Sequence, residues 1–127
     1  MSYTYQVTTH DSAKAMGSGG LEVLATPRLV AYLENACYQE LQEKLEPGMT
    51  SVGASIQVDH LAPSKIGAVI EVKITDKSSE GKLVTYGIEA WDGSLIIARA
   101  KHTRAVVKAT KFMDRLMERN FEAQHKQ

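Results

Sequence analysis

Several things are scarce in this chain. Its 127 residues include one cysteine, one tryptophan and two phenylalanines. A lone Cys37 excludes an internal disulfide, and with no Cys/His cluster at ligand spacing a structural zinc site is not expected, leaving Cys37 as a small buried helix residue. Neither sign of charge is in excess, with Lys+Arg and Asp+Glu at 15 each. Nothing global therefore attracts nucleic acid or an anionic membrane surface. The longest apolar runs are a few residues, and the opening MSYTYQV has neither a charged leader region nor an apolar one. A membrane span and a signal peptide are not expected, and a cytoplasmic protein is. Internal repeats and low-complexity tracts are also missing, and the length suits one domain, residues 1–127.

What is present is a strong helix signal followed by a long period-2 region. Tyr3 to Thr9 alternates as a first strand, and HDSAKAMGSGG then has the composition of a mobile loop. Thr26 and Pro27 mark a helix start, Thr as N-cap and Pro at the first helical position, and Glu46-Pro47-Gly48 stops the helix near Leu45. Four alternating segments follow near 50–61, 67–77, 82–92 and 94–107, broken at Pro63-Ser64, Ser78 to Gly81 and Asp92-Gly93. Asp92-Gly93 predicts a tight hairpin, since glycine takes a positive φ without a Cβ penalty. Phe112, Met113, Leu116, Met117 and Phe121 at helical spacing predict a terminal amphipathic helix from Thr110 to about Ala123. One long helix against one antiparallel sheet is an α+β layer arrangement. The width of the helix's apolar face favours a curved sheet wrapped around it.

Polar residues intrude on the faces that should be dry. With Leu29 set at zero and 100° per residue, the apolar face of the helix spans roughly −20° to +160°, and Glu34 falls inside it at about 140°. Glu40 falls at about 20°, as a charge whose stem snorkels or that meets a partner chain. On the second strand Val52, Ala54, Ile56, Val58 and His60 are in phase, and on the last Ile96, Ala98, Ala100, His102, Arg104 and Val106 are. Buried charge requires a partner, and Glu34 is the obvious one for these cationic or titratable side chains. The alternative is that strand ends leave the core, so that His60 and Arg104 are solvated rim residues. Lys65, Lys101 and Lys108 read as ordinary surface lysines. A hydroxyl, a carboxylate and an imidazole are also what acyl transfer uses, and Gly53 would let a ligand approach the backbone closely.

Three stretches, ATPRLVAYLENAC, LEPGMTSVGASIQVDHLAPSKIG and AKHTRAVV, resemble in order and spacing the fluoroacetyl-CoA thioesterase-like branch of the hotdog-fold acyl-CoA thioesterases. The likeness runs from about Leu21 to about Phe112. It implies a hotdog fold, a long central helix wrapped by a curved antiparallel sheet of about five strands, working as a homodimer or higher homo-oligomer with sites at the interface. By the same resemblance Thr26, Glu34 and His60 are catalytic and Gly53 and Arg104 bind substrate. No metal or cofactor is implied, coenzyme A being part of the acyl-CoA substrate. The implied reaction is hydrolysis of a short or medium acyl-CoA, with either Thr26 or Glu34 open as a covalent acyl carrier. A non-catalytic acyl-CoA or small hydrophobic ligand-binding protein, and a structural dimer, are the alternatives. The resemblance fails ahead of the helix, where AMGSGGLEVLA puts Gly17 and Gly20 in place of the family's aromatic lid. Fluoroacetyl specificity is therefore not expected, and Met16, Leu21 and Leu24 are the expected apolar contacts of a more open pocket.

Overall fold

The computed structural model describes residues 1–125, with side chains described as far as Arg119. The elements are β1 (Ser2–Gln6), a 3-10 turn (Thr9–Asp11), α1 (Ala13–Met16), α2 (Thr26–Gln42), β2 (Met49–His60), β3 (Val69–Glu80), β4 (Leu83–Asp92), β5 (Leu95–Lys108) and α3 (Ala109–His125). All five strands form one antiparallel sheet in the order β1-β3-β4-β5-β2. Register shifts after Gly53, Ile74 and Ala90 mark bulges, and each bends its strand and adds to the curl of the sheet around α2.

Period-2 alternation is cleanest in β4, where Val84, Tyr86, Ile88 and Ala90 are buried and their neighbours are not. They meet Leu29, Leu33, Ala36, Cys37 and Leu41 of α2, the stripe that the wheel identifies. Leu29 and Leu33 are 0% exposed, and truncating either to alanine should cost about 2–5 kcal/mol. Two hairpins close on two-residue loops whose first residue is glycine at φ 61°, Gly81 between Glu80 and Leu83 and Gly93 between Asp92 and Leu95. The helix stop comes slightly early. Lys44 and Leu45 donate to Leu41 and Gln42, i to i−3 bonds that tighten the last turn before Gly48 takes φ 86°.

Three expectations need correction. The segment after β1 is ordered: Ser12 caps α1 by accepting from the Ala15 N–H at 3.0 Å, and Gly17 at φ 72° ends it. Asp11 is why. Its buried carboxylate accepts from the Thr8 N–H (2.8 Å) and the Tyr32 hydroxyl (2.8 Å) and pairs with Arg28 (3.0 Å), tying the segment to α2. Glu40, instead of snorkelling or meeting another chain, is paired within its own: Lys77 donates at 2.9 Å and the buried Tyr86 hydroxyl at 2.8 Å, with Lys44 completing the set. These donors outweigh the burial that opposes them and hold its pKa down at about 2. Finally, α3 forms, but Phe112, Met113 and Met117 are 37%, 50% and 62% exposed, since among the described residues its main contact is with β5 and leaves most of that stripe uncovered. Phe121 lies outside the described side chains. A groove of about 560 Å³ between α3 and the ends of β2 and β5, lined by Met49, Val106, Lys108 and Phe112 among others, contains none of the expected site residues.

Candidate active site

Along its length α2 runs antiparallel to β2. Thr26 meets His60 at one end, Glu34 lies at Gly53 in the middle, and Gln42 bonds Met49 and Thr50 at the other. The expected site residues thus fall into two clusters on one helix-strand seam.

In the first cluster, Thr26 is not the N-cap. Ala25 occupies that position (φ −72°, ψ 140°), and no side chain caps the helix. Being one residue inside frees the Thr26 hydroxyl, whose Oγ1 lies 2.8 Å from His60 Nδ1. Nε2 of His60 is buried and has no partner among the described residues. Burial pulls the His60 pKa below its ordinary value, offset in part by the Ala62 backbone, which lies outside hydrogen-bond geometry. The ring is therefore neutral near pH 7. When Nδ1 accepts from the threonine hydroxyl, the single N–H proton of the neutral ring sits on Nε2 and is available to another molecule.

The second cluster is built by the β2 bulge. Gly53 pairs with Arg104 and Ser55 with Thr103, so Ala54 is the extra residue and the alternation slips by one. Ser51 and Gly53, rather than Val52 and Ala54, therefore face α2, and Ile56, Val58 and His60 take over beyond the bulge. A Cβ built on Gly53 would lie 3.0 Å from Glu34 Oε2, 3.5 Å from His102 Cε1 and 3.8 Å from Arg104 Nη1. The missing side chain leaves a niche bordered by a carboxylate, an imidazole and a guanidinium.

Arg104 is no solvated rim residue, being 6% exposed, nor does it pair with Glu34 within 4 Å among the described residues. Its Nε donates to Ser51 Oγ (2.8 Å), its Nη2 to the Ser51 carbonyl (3.0 Å), and its guanidinium lies over the Tyr38 ring (5.6 Å). His60 likewise meets Thr26 and not Glu34. His102 was legible as an in-phase polar residue but carried no assigned role. It is 1% exposed, bonded to the Ser55 carbonyl at 2.8 Å and to Arg104 Nη1 at 3.1 Å. Burial depresses its pKa; the Arg104 charge adds to this, while the Ser55 carbonyl and Glu34 oppose it.

Ahead of the helix, Leu24 is 2% exposed and belongs to the core, whereas Met16 (39%) and Leu21 (70%) project outward from this chain, so these three do not gather into a pocket wall within it. Among the described residues no group of three or more His, Cys, Asp or Glu side chains is arranged to hold a metal.

A long helix wrapped by a curled five-stranded antiparallel sheet is the hotdog architecture, here with a hydroxyl-imidazole pair and a niche bordered by a carboxylate, an imidazole and a guanidinium along its helix-strand seam. Within that class, residues 7–110 match the family described as fluoroacetyl-CoA-specific thioesterase, and the chain belongs to that family. It is 36% identical over 91 residues, 72% of this chain, to the fluoroacetyl-CoA thioesterase of Streptantibioticus cattleyicolor, spanning 66% of that relative's length. A solved mutant of the fluoroacetyl-CoA-specific thioesterase FlK, in complex with fluoroacetate and CoA, superposes with a TM-score of 0.87 at 28% identity, covering 94% of this chain and 98% of that one. A Thermus thermophilus thioesterase superfamily member shares the fold with a TM-score of 0.87 at 22% identity, over 99% of this chain and 93% of the other.

Proposed function

We propose that this protein is an acyl-CoA thioesterase that hydrolyses a short or medium acyl-CoA to the free acid and CoA. The observation that carries the reading is the Glu34 carboxylate facing the open backbone at Gly53, its Oε2 3.0 Å from where a Cβ would stand. A thioester carbonyl in that niche would lie between Glu34 and the Arg104 guanidinium. The carboxylate acts at the carbonyl carbon, by direct attack or by directing water, and the developing oxyanion is stabilised by Arg104. The Thr26–His60 pair moves a proton, so that thioester and water become acid and thiol. No cofactor takes part.

The two clusters lie about 12 Å apart along the helix axis, so neither reaches the other within one chain. A homodimer answers this. β2 is an edge strand of twelve residues whose outer side pairs with no other strand among the described residues, and exposed edges of that length call for a partner. Counted across the bulge at Ala54, a two-fold antiparallel register centred on Gln57 would set Gly53 opposite His60 of the partner subunit, on the same face of the joined sheet. Light scattering should give twice the chain mass.

Among the family's substrates we propose one other than fluoroacetyl-CoA, on the strength of Gly17 and Gly20 in the lid segment and of the outward-facing Met16 and Leu21. Cytoplasmic residence is consistent with the described residues, in which no helix is long and apolar enough to cross a membrane. The test is thiol release from acyl-CoAs graded in chain length and polarity. Turnover abolished by Glu34→Ala and by His60→Ala in folded protein supports the reading, and no turnover with any of them refutes it. The separation of the clusters within one chain favours a second reading, a binder without catalysis, for which calorimetry would give saturable acyl-CoA binding and no released thiol.

A further inference from the structure

The guanidinium of Arg104 is satisfied in an unusual way for a buried cation. Its hydrogen bonds all go to neutral acceptors: the Ser51 hydroxyl, the Ser51 carbonyl and the Nε2 lone pair of His102. Among the described residues no carboxylate lies within 4 Å of it. Buried arginines are ordinarily paired with anions, whereas here Glu34 borders the same niche over Gly53 without touching the guanidinium.

His102 has the chemistry for this task. The Ser55 carbonyl can only accept, so His102 Nδ1 must donate to it, which leaves the lone pair on Nε2 facing Arg104 Nη1. The imidazole is thus a neutral Nδ1–H tautomer, fixed at one side by the residue that closes the bulge and at the other by the guanidinium. A guanidinium carries five N–H groups. Three are taken by Ser51 and His102, and one remains on each Nη nitrogen. Nη1 is the nitrogen closer to the niche, 3.8 Å from where a Gly53 Cβ would stand.

We infer that His102 is a positioning residue of this site: its neutral ring ties the β2 bulge to Arg104 and aims the remaining Nη1 proton at a carbonyl oxygen over Gly53. His102 itself does not touch the substrate; it acts through Arg104. The inference rests on the thioesterase reading of Glu34 and Arg104.

A double-mutant cycle tests it, with acyl-CoA turnover and thermal stability measured for wild type, His102→Phe, Arg104→Gln, the pair together, and His102→Gln. His102→Phe keeps the ring shape but can neither donate nor accept. It should lower kcat by roughly 10- to 100-fold with KM within about twofold, and should cost nothing further once Arg104 is glutamine. His102→Gln retains one donor and one acceptor and should recover most of the loss. A purely structural residue would move stability without this non-additivity. If His102→Phe does not fold, His102→Asn replaces it in the cycle, since its shorter amide cannot reach Ser55 and Arg104 together. Wild-type kcat in His102→Phe, or equal losses in both Arg104 backgrounds, overturns the inference while leaving the thioesterase reading standing. Absence of wild-type turnover overturns that reading and takes the inference with it.

Discussion

Adding one methyl group at Gly53 separates the proposed chemistry from the fold. Gly53 does not have a positive φ, so alanine is compatible with its backbone, and replacing a strand glycine removes unfolded-state entropy worth about 0.4–1 kcal/mol. Against this, the new Cβ would stand 3.0 Å from Glu34 Oε2, tighter than ordinary van der Waals contact. Overpacking in a rigid core costs about 1–3 kcal/mol, but the atom in the way is the end of a half-buried flexible side chain, which can yield by a few tenths of an ångström. The two effects nearly cancel, and Gly53→Ala should change stability by less than about 1 kcal/mol, a shift in Tm of under about 5 °C. Function has no such compensation. The methyl occupies the niche bordered by Glu34 and Arg104 in which the carbonyl is placed, and displacement of a reacting group by about 1 Å costs about 100-fold, or about 2.7 kcal/mol of transition-state stabilisation. Continuous thiol release with the best acyl-CoA, alongside a melting curve, reads both quantities. A Gly53→Ala protein with wild-type Tm and kcat/KM within twofold of wild type would falsify the placement of the thioester over Gly53.

Glu40→Ala leaves the Tyr86 hydroxyl and the Lys77 ammonium without their buried acceptor and should destabilise by about 3–5 kcal/mol, measured by urea unfolding, whereas Leu61→Ser, at an exposed position, should change stability by less than about 0.5 kcal/mol. Because the folded pKa of Glu40 is held at about 2 against an ordinary 4.5, its contribution is complete above about pH 4.5 and disappears as pH falls toward 2, so acid unfolding midpoints should converge for wild type and Glu40→Gln. His60 and His102 are both depressed by burial, so the unfolded chain binds protons first: stability should decline as pH drops below about 6.5, and kcat should show an acid limb at or below that value that titration of His60→Gln no longer follows. Cys37, 0% exposed and with its thiol pushed up to about 12 by burial, should resist thiol reagents in the native state and react fully in guanidinium; rapid native labelling would contradict its burial.

How far the residues announced their structure differs from element to element. The long helix, the four later strands and the Asp92-Gly93 hairpin were legible because their signals are local: Pro27 at the start, Glu46-Pro47-Gly48 at the end, glycine in the loop, alternation between; the break expected over Ser78 to Gly81 is instead the end of β3 and a two-residue loop at Gly81. Glu34, His60, His102 and Arg104 were visible as polar residues in apolar phase. Their partners were not, because periodicity carries no information across a bulge. One inserted residue at Ala54 turned Ser51 and Gly53 toward α2, gave Arg104 a hydroxyl and a carbonyl in place of Glu34, and gave His102 its carbonyl. Thr26 was misread as a cap for a related reason: a one-residue change in helix start transfers its hydroxyl from the backbone to an imidazole 34 positions away.

What the sequence determined by itself was therefore the kind of fold and the set of groups at hand, since chain-local preferences and hydrophobic phase act over a few residues. Which of those groups meet was decided by tertiary structure alone. The strand order β1-β3-β4-β5-β2 sets β2 beside β5 although some 45 residues separate their midpoints, and only that pairing, with its bulge, brings Glu34, Gly53, His102 and Arg104 around one niche. The same holds for Glu40, whose charge is tolerated in the core because Lys77 and Tyr86 arrive from strands distant in the chain.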